Sequence, residues 1–375
     1  MIPLYKPKIN KRLFNKYINI VNKNNKYSCY GEIHKLVQQD IIDIYGENIF
    51  LTNSGTSSMD IIAKCLNISN EDEILVQSFT FSTTASPFLT YTQKINFIDT
   101  VNPNCPYVSL NKIKEKITKK TKVIIINHYA GIATEEIEDI ACFCKESNII
   151  LIEDNAHGFL SKYNNKLLGT FGDFGIISFH DAKLFTAGAG GIVIFKDPKY
   201  AEDLKSKINK GTNFDSDEAK KNGFYKTIGV GGAYGLTELN CALLKTQLDE
   251  KEKIIELNKK KWLLYYNYFI KHLKESIPFI PENQEQNYSM FYLVAKNLDH
   301  RNYIISEMKK IGITASFHYY PLHMSECFGE YQKECDNSRK NYEVIFRLPI
   351  FNGLTKKEQL RIINSVIKIY NEENK

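Results

Sequence analysis

A lysine and an aspartate stand out among the residues that could do chemistry, because each follows a short apolar run. Lys183 comes shortly after the run 174–179, and Asp154 closes the run that begins at residue 148. A lysine whose pKa is lowered by burial forms covalent bonds to aldehydes, and a carboxylate at the end of a buried strand needs a partner. A solvated loop lysine and a helix-capping aspartate are open alternatives.

Small hydroxyl residues occupy a turn much earlier in the chain. Residues 53–58 read Asn-Ser-Gly-Thr-Ser-Ser and lie between a strand-like run and a helix-like run. Backbone N–H groups at a helix N-terminus, with Ser and Thr hydroxyls beside them, bind phosphate. The same residue types serve as plain N-caps. The turn therefore predicts either a phosphate-binding cup or an ordinary helix cap.

A third polar segment, 317–323, contains two histidines that could suggest a metal site. His318 and His323 have no carboxylate or cysteine at a recognisable ligand spacing beside them. Packing or substrate contact is therefore favoured over metal, and a metal hydrolase built on these histidines is kept only as a rival hypothesis. The eight cysteines show no paired metal spacing either; Cys142 and Cys144 come closest, in a helix-like run where neighbouring side chains diverge.

Composition narrows the class of protein. Of the 375 residues 43% are apolar and 25% charged, which excludes disorder over most of the chain. The net charge is +6, and the basic residues are mostly scattered lysines, so nucleic acid is not an expected partner, whereas a small anionic substrate is. No apolar run reaches the roughly 18 residues that span a bilayer, and the start lacks a signal-peptide pattern. We therefore expect a cytoplasmic protein without a membrane partner.

The elements that must position these residues follow from an alternation of apolar runs. Continuous Ile- and Val-rich runs separated by helix-like runs predict strands buried on both faces, hence a mostly parallel sheet covered by helices. In such sheets the ligand lies beyond the carboxyl ends of the strands. The predicted strands are 49–52, 73–76, 94–98, 122–126, 148–152, 174–179 and 191–195, and the predicted helices between them include 56–66 and 135–147.

The rest of the chain predicts a second, smaller unit. We assign residues 1–235 to a large domain with an N-terminal segment, 236–273 to one connecting helix, and 274–375 to a small α+β domain. Strands 292–295 and 314–317 and helices 301–311 and 356–372 are expected in the small domain. The polar stretch 210–228 is expected to be a loop.

The order of the candidate sites carries more information than any one of them. A phosphate cup, then an acid at a strand end, then a lysine is the order that a pyridoxal 5′-phosphate enzyme requires. The acid keeps the pyridine nitrogen of that cofactor protonated, and the lysine holds its aldehyde and moves protons.

The sequence resembles the DegT/DnrJ/EryC1/StrS family of sugar aminotransferases, which share the aspartate aminotransferase fold, known as fold type I. The likeness runs nearly from end to end. It is carried by Ser54-Gly55-Thr56-Ser57, by the segments 80–84, 97–99 and 128–131, by Glu153-Asp154, by Ser178-Phe179-His180 with Lys183, and by His318-Tyr319 and Leu348-Pro349.

The resemblance implies a role for each matched residue. Lys183 would carry the cofactor and move protons, Asp154 would pair with the pyridine nitrogen, and Phe81 would stack on the ring. His157 would lie near the phenolic oxygen of the ring. Gly55, Thr56 and Ser178 would bind the phosphate. The resemblance also implies a homodimer in which each site is completed by the partner subunit.

Within the family the chain is most similar to the transaminases that convert dTDP-4-keto-6-deoxyglucose to dTDP-4-amino-4,6-dideoxygalactose. Glutamate is the implied amino donor. Candidate contacts to the nucleotide sugar are Lys210, His318, Tyr319 and His323. Amination at C3, a gluco product at C4, and a paralogue that binds the cofactor without catalysis are the alternatives.

Two positions depart from the family pattern. Ala233 stands where members commonly have an asparagine that reaches the partner's cofactor phosphate. Ala189 replaces a glutamate in the glycine-rich turn after the lysine. Lys183 itself favours transamination, because members that remove a sugar hydroxyl carry histidine there.

Overall fold

The computed structural model describes residues 1–214, 216–331 and 335–372. Residues 215, 332–334 and 373–375, which the sequence assigned to the large and small domains, lie outside the described residues. The helices are α1 (Lys11–Asn24), α2 (Glu32–Tyr45), α3 (Gly55–Cys65), α4 (Leu110–Lys114), α5 (Ile137–Glu146), α6 (Ala201–Ile208), α7 (Asp217–Asn222), α8 (Glu238–Leu248), α9 (Lys251–His272), α10 (Leu298–Lys310), α11 (Asp336–Val344) and α12 (Lys356–Glu372).

The strands are short, and most of them belong to one central sheet. They are β1 (Ile49–Thr52), β2 (Glu73–Gln77), β3 (Ile95–Ile98), β4 (Thr121–Asn127), β5 (Ile150–Asp154), β6 (Lys162–Tyr163), β7 (Lys166–Leu167), β8 (Phe174–Ser178), β9 (Gly191–Phe195), β10 (Gln284–Glu285), β11 (Phe291–Val294), β12 (Ser316–Phe317) and β13 (Ile345–Leu348).

The central sheet of the described chain has seven strands in the order β1-β9-β8-β5-β4-β2-β3. Strand β9 runs antiparallel to both of its neighbours, and the other pairs are parallel. Ile, Val and Leu side chains of these strands are buried on both faces under helices such as α3 and α5. The predicted α/β class with a mostly parallel sheet is therefore confirmed, and it brings the carboxyl ends of β1, β2, β4, β5 and β8 to one edge.

The connection between the lobes differs from the single helix that the sequence predicted. Helix α8 ends at Leu248, and α9 starts at Lys251, with Asp249 and Glu250 between them. Helix α8 is almost wholly buried against the large lobe, whereas α9 buries Trp262 and other aromatic residues in the small lobe. Each helix therefore packs on its own lobe, and the helical conformation is interrupted between them.

The small lobe is built on the antiparallel sheet β11-β13-β12, packed against α9, α10 and α12. The first residues of the chain join it, although the sequence assigned them to the large domain. The Ile2 N–H donates to Gly312 O at 2.7 Å, and Thr314 N–H donates to Ile2 O at 2.9 Å. Ile2 is buried in the same apolar cluster as Trp262. The N-terminal segment thus crosses from one lobe to the other.

An aromatic cluster lies between the two lobes next to the carboxyl edge of the large sheet. It combines Phe79, Tyr107 and Tyr129 of the large lobe with Met290, Tyr292 and Ile345 of the small lobe. Tyr129 is fully buried at its centre and meets Phe79 and Tyr292 edge to face, each at 5.3 Å. This packing fixes how the small lobe faces the strand ends.

The predicted loop 210–228 contains the short helix α7. No described helix is long and apolar enough to cross a membrane.

Candidate active site

A cavity of about 330 Å³ opens at the carboxyl edge of the central sheet, under the small lobe. Its lining includes nine of the residues that the sequence singled out: Gly55, Thr56, Phe81, Asp154, His157, Ser178, Lys183, His318 and Tyr319. The two remaining candidates, Lys210 and His323, lie outside it. Residues far apart in the chain are thus gathered in one place, as the strand-end rule requires.

The hydroxyl-rich turn forms the floor of the cavity at the start of α3. Ser54 accepts a hydrogen bond from Ser57 N–H at 3.0 Å, so the helix cap is present. Gly55 and Thr56 follow it and line the cavity together with Ser178. A Cβ on Gly55 would lie 3.0 Å from Ser178 Cβ. The cap and the anion cup are therefore two properties of one turn, and glycine keeps the cup open.

Asp154 ends β5 with its carboxylate at the cavity. Its Oδ2 accepts the Thr84 hydroxyl at 2.5 Å, and its Oδ1 accepts the Ala156 N–H at 3.1 Å. The residue is only 4% exposed. Two donors therefore hold a buried carboxylate in a fixed orientation, while the cavity side stays open to a cationic group.

The neighbouring acid, Glu153, points to the other face of the strand and serves a different purpose. Its Oε1 accepts the N–H groups of Phe171 and Gly172 at 2.6 and 2.7 Å. Its Oε2 accepts the Gly169 N–H at 2.8 Å and meets His128 Nε2 at 2.7 Å. Glu153 thus fixes the loop before β8 and does not line the cavity.

Lys183 reaches the same cavity from the loop after β8. Burial lowers the pKa of its amine to about 8; the Asp154 carboxylate opposes this decrease, and the Arg347 guanidinium adds to it. About a tenth of the amine is therefore uncharged at pH 7, far more than for an ordinary lysine, and the uncharged amine is the form that attacks carbonyl carbon.

His157 forms the back of the cavity and is held as a neutral ring. Its Nδ1 accepts the Ala130 N–H at 3.3 Å, and its Nε2 lies 3.1 Å from the Tyr319 hydroxyl. Burial, with the charges of Lys183 and Arg347, lowers the pKa of His157 far below its usual value. Ala130 has φ 58°, which is uncommon for a residue with a Cβ, and this conformation places its N–H beside the ring.

The small lobe supplies the opposite wall through His318, Tyr319 and Arg347, which we call the small-lobe wall; Gly55, Phe81, Asp154, Ser178 and Lys183 form the large-lobe wall. The His318 and Tyr319 rings stack with their centroids 4.1 Å apart, and the centroids of the Tyr319 and Phe81 rings lie 6.1 Å apart. Arg347 comes from β13, and its Nε has no hydrogen-bond partner among the described residues. Burial lowers the pKa of the Arg347 guanidinium.

Sequence reasoning missed Arg347, Asn127 and Thr84 as site residues. Arg347 was not among the predicted contacts, although arginine occurs just five times in the chain. Asn127 ends the Ile-rich strand β4, and its Oδ1 has no partner within the described chain. Thr84 bonds Asp154. A polar residue closing an apolar strand was the available signal for Asn127; nothing local in the sequence indicated Thr84.

The other residues singled out in the sequence lie away from the cavity. Lys210 is exposed, and its N–H donates to Gly232 O at 2.9 Å. His323 bonds Ser78 instead of facing the cavity. Ala233 O accepts the Asn53 side chain at 3.1 Å, and Ala189 is exposed in its turn. The residues described here contain no cluster of three or more His, Cys, Asp or Glu side chains arranged for a metal ion.

The cavity fits one cofactor well. A phosphate can sit in the cup of Gly55, Thr56 and Ser178, a protonated ring nitrogen can meet Asp154, and an aldehyde can meet Lys183. The orphaned Asn127 Oδ1 offers a further polar contact. Together with the sheet order and the small lobe, this defines a pyridoxal-phosphate enzyme of fold type I.

Comparison with known proteins gives the family. The model of the DegT/DnrJ/EryC1/StrS aminotransferase family matches residues 8–367, and the chain belongs to this family of pyridoxal-phosphate-dependent sugar aminotransferases. The GDP-perosamine synthase of Escherichia coli O157:H7 is 24% identical over 376 residues, covering 99% of both chains.

Two further relatives support the assignment. The dTDP-4-dehydro-2,3,6-trideoxy-D-glucose 4-aminotransferase of Saccharopolyspora spinosa is 26% identical over 284 residues, which cover 74% of this chain and 73% of the relative. A Streptococcus pneumoniae structure described as a sugar aminotransferase in its pyridoxamine phosphate form superposes with a TM-score of 0.89 at 21% identity, covering 99% of this chain and all of the other. The predicted fold type I is thereby confirmed.

Proposed function

We propose that this enzyme transfers an amino group from glutamate to the C4 carbonyl of a nucleotide-linked 4-keto-6-deoxy sugar, giving the 4-amino sugar and 2-oxoglutarate. The observation that carries the proposal is Lys183, with a pKa of about 8, in one cavity with the buried Asp154 and the cup at Gly55. The first expected product is dTDP-4-amino-4,6-dideoxygalactose, from dTDP-4-keto-6-deoxyglucose.

The side chains divide the work of such a transfer. The bound cofactor supplies an electron sink for the carbanion that forms when the α-proton leaves. Lys183 Nζ takes that proton from the donor's α-carbon and later gives a proton to the sugar carbon that receives nitrogen. Asp154 holds the positive charge on the ring nitrogen, and Phe81, which is 53% exposed, offers its face for stacking. The two half-reactions use one cavity in turn, so the kinetics should be ping-pong.

Arg347 supports glutamate as the donor. A guanidinium binds a carboxylate through two parallel hydrogen bonds, and the Nε of Arg347 is buried without a described protein acceptor. It lines the same cavity as Asp154. A dicarboxylic amino acid therefore finds a cation on the small-lobe wall.

The names of the relatives bear on the sugar. One relative makes GDP-perosamine, and another aminates a dTDP-linked sugar at position 4. Both names favour a nucleotide-linked sugar, and the second favours a deoxy sugar and amination at C4 over C3. Because the relative that spans 99% of this chain is a GDP-sugar enzyme, a GDP-4-keto-6-deoxy sugar is the second candidate substrate.

The nucleotide and the partner subunit belong to the same proposal. Lys210 and His323 are the two predicted nucleotide contacts that belong to neither wall. Lys210 lies on the surface beside the exposed apolar side chains Phe214, Ile228 and Val230. Exposed apolar groups of this kind are typical of an interface. We therefore propose a homodimer contact at this surface, with Lys210 directed to the substrate in the partner subunit. We further propose that the enzyme acts in the cytoplasm in the synthesis of surface polysaccharide.

Purified protein with pyridoxal phosphate and glutamate should be incubated with dTDP-4-keto-6-deoxyglucose and, separately, with GDP-4-keto-6-deoxymannose. The expected result is an amino sugar whose NMR couplings place the nitrogen at C4 in the galacto configuration, together with an equal amount of 2-oxoglutarate. Product from the GDP sugar alone would select the second candidate. A C3 amine or a gluco product would correct the regiochemistry or the stereochemistry.

Borohydride treatment of the protein with its cofactor tests the site independently of the sugar. A fixed adduct should map to Lys183 by mass spectrometry. An adduct without any amino transfer would instead support a non-catalytic paralogue, and absence of the adduct would remove the proposed site.

A further inference from the structure

The buried pair of Ser78 and His323 has no part in the chemistry described above. Ser78 directly follows β2 in the large lobe. His323 belongs to the segment that begins at His318, and its neighbour Leu322 packs into the core of the large lobe. Ser78 Oγ lies 2.6 Å from His323 Nδ1, and Ser78 O accepts the Leu322 N–H at 2.9 Å. The side chains are 0% and 3% exposed. The two segments are thus joined by a short polar contact inside the protein.

The segment on the Ser78 side carries two groups of the site. Phe81, three residues on, lies in the cavity. The Thr80 hydroxyl lies 3.0 Å from that of Thr84, which in turn donates to Asp154 Oδ2 at 2.5 Å. A shift at Ser78 would therefore reach both the ring-stacking face and the carboxylate.

The segment on the His323 side carries the small-lobe aromatic residues. Tyr319 lies four residues before His323 and contacts Phe79 at 5.8 Å and Phe81 at 6.1 Å. The two segments therefore also meet at the cavity itself. The two segments are therefore joined at two places, by the polar contact of Ser78 with His323 and by the ring contacts of Tyr319.

The cost of this contact argues against simple packing. His323 Nε2 is buried without a hydrogen-bond partner among the described residues. Burying an unsatisfied ring nitrogen is unfavourable, and an apolar residue would avoid it. The histidine instead offers its Nδ1 to Ser78 in a geometry that no apolar residue can supply.

We propose that Ser78 and His323 form a positioning pair that sets the distance between the two walls of the cofactor cavity. The pair acts through Phe81, Thr84 and Tyr319 and touches no reacting atom. This inference rests on the proposed assignment of the cavity to pyridoxal phosphate, and it replaces the direct substrate contact expected for His323.

The test measures cofactor affinity by absorbance titration of cofactor-free protein and, separately, the melting temperature of that protein. Ser78→Ala and His323→Ala should each weaken cofactor binding about tenfold, the size of one lost buried hydrogen bond. The double variant should be no weaker than either single variant, because both remove the same contact. The circular dichroism of the bound cofactor should decrease in all three.

His323→Asn is the conservative rescue, because its amide places a polar atom near the position of Nδ1; its cofactor affinity should stay within about threefold of the wild type. His300→Ala is the matched control: His300 is another buried histidine of the small lobe, and its Nδ1 accepts the Lys296 N–H at 3.2 Å. This variant should lower the melting temperature and leave cofactor affinity unchanged.

Two outcomes would overturn the pair. In one, Ser78→Ala and His323→Ala lower only the melting temperature, as His300→Ala does. In the other, the two losses of affinity add up in the double variant. Failure of the function itself would look different, since the wild-type protein would then show no borohydride-fixed cofactor on Lys183.

Discussion

The two walls of the cavity are positioned by different interactions. The large-lobe wall consists of residues at the ends of parallel strands, so the topology of one sheet is enough to bring Gly55, Asp154 and Lys183 together. The small-lobe wall depends on packing between lobes, through the aromatic cluster around Tyr129. The comparison teaches that one sheet is enough to position the large-lobe wall, whereas the small-lobe wall depends on contacts between the lobes.

Removing the lysine from the large-lobe wall should have the largest effect. Lys183→Ala eliminates both the attachment point of the cofactor and the group that moves the proton, so amino transfer should fall by about a thousandfold or more. Single-turnover formation of 2-oxoglutarate measures it. Lys119→Ala, at an exposed lysine, should match the wild type; a Lys183→Ala enzyme with near-native turnover would end the assignment.

The adjacent acids of β5 should separate chemistry from stability. Asp154→Asn removes the charge opposite the ring nitrogen and should reduce turnover about a hundredfold with little change in melting temperature. Glu153→Gln should instead destabilise the fold by about 3 kcal/mol, since its carboxylate accepts three backbone N–H groups and meets His128. Turnover per folded molecule and denaturant midpoints, measured on both variants, distinguish the two roles. Equal effects on both quantities would contradict the division.

A variant of the small-lobe wall should act on substrate binding. Arg347→Gln removes the guanidinium that we assign to the donor carboxylate, and should raise KM for glutamate by about a hundredfold. The reaction of the amino-loaded enzyme with the sugar should change much less. Half-reaction kinetics with each substrate provide the check, and an equal loss in both halves would move Arg347 from donor binding to a general structural role.

The pH dependence of cofactor attachment should show the smallest effect and the clearest sign. Only the uncharged amine attacks the aldehyde, so the rate should rise with pH and level off above about 8, the pKa of Lys183. Asp154 raises this pKa and Arg347 lowers it. The midpoint should therefore move down in Asp154→Asn and up in Arg347→Gln, as stopped-flow absorbance can measure. Shifts in the same direction would mean that the two walls do not act on one amine.

Much of the large-lobe wall could be predicted from the sequence, because continuous apolar runs mark buried parallel strands and their polar ends share one edge. That rule made Asp154 and Lys183 candidates, with a capping aspartate and a solvated lysine as alternatives, and the family resemblance implied their roles. The strand limits differ slightly from the prediction, since the predicted strand 148–152 is β5 at Ile150–Asp154, two residues further along the chain. The structure places Asp154 in the cavity and Glu153 outside it, as the alternation of side chains along β5 requires.

The small-lobe wall could not be derived in the same way. Arg347 lies in the middle of β13, and its role depends on which face of the strand looks across the lobe boundary. His318 and His323 looked equivalent in sequence, yet one lines the cavity and the other bonds Ser78. Such distinctions arise from contacts between residues far apart in the chain, which no local pattern records.

The bridge between Ile2 and Ile313 also constrains how the polypeptide matures. The residues around Ile2 leave the ribosome long before their partners. The bridge can therefore form only after the segment around Ile313 has been synthesised.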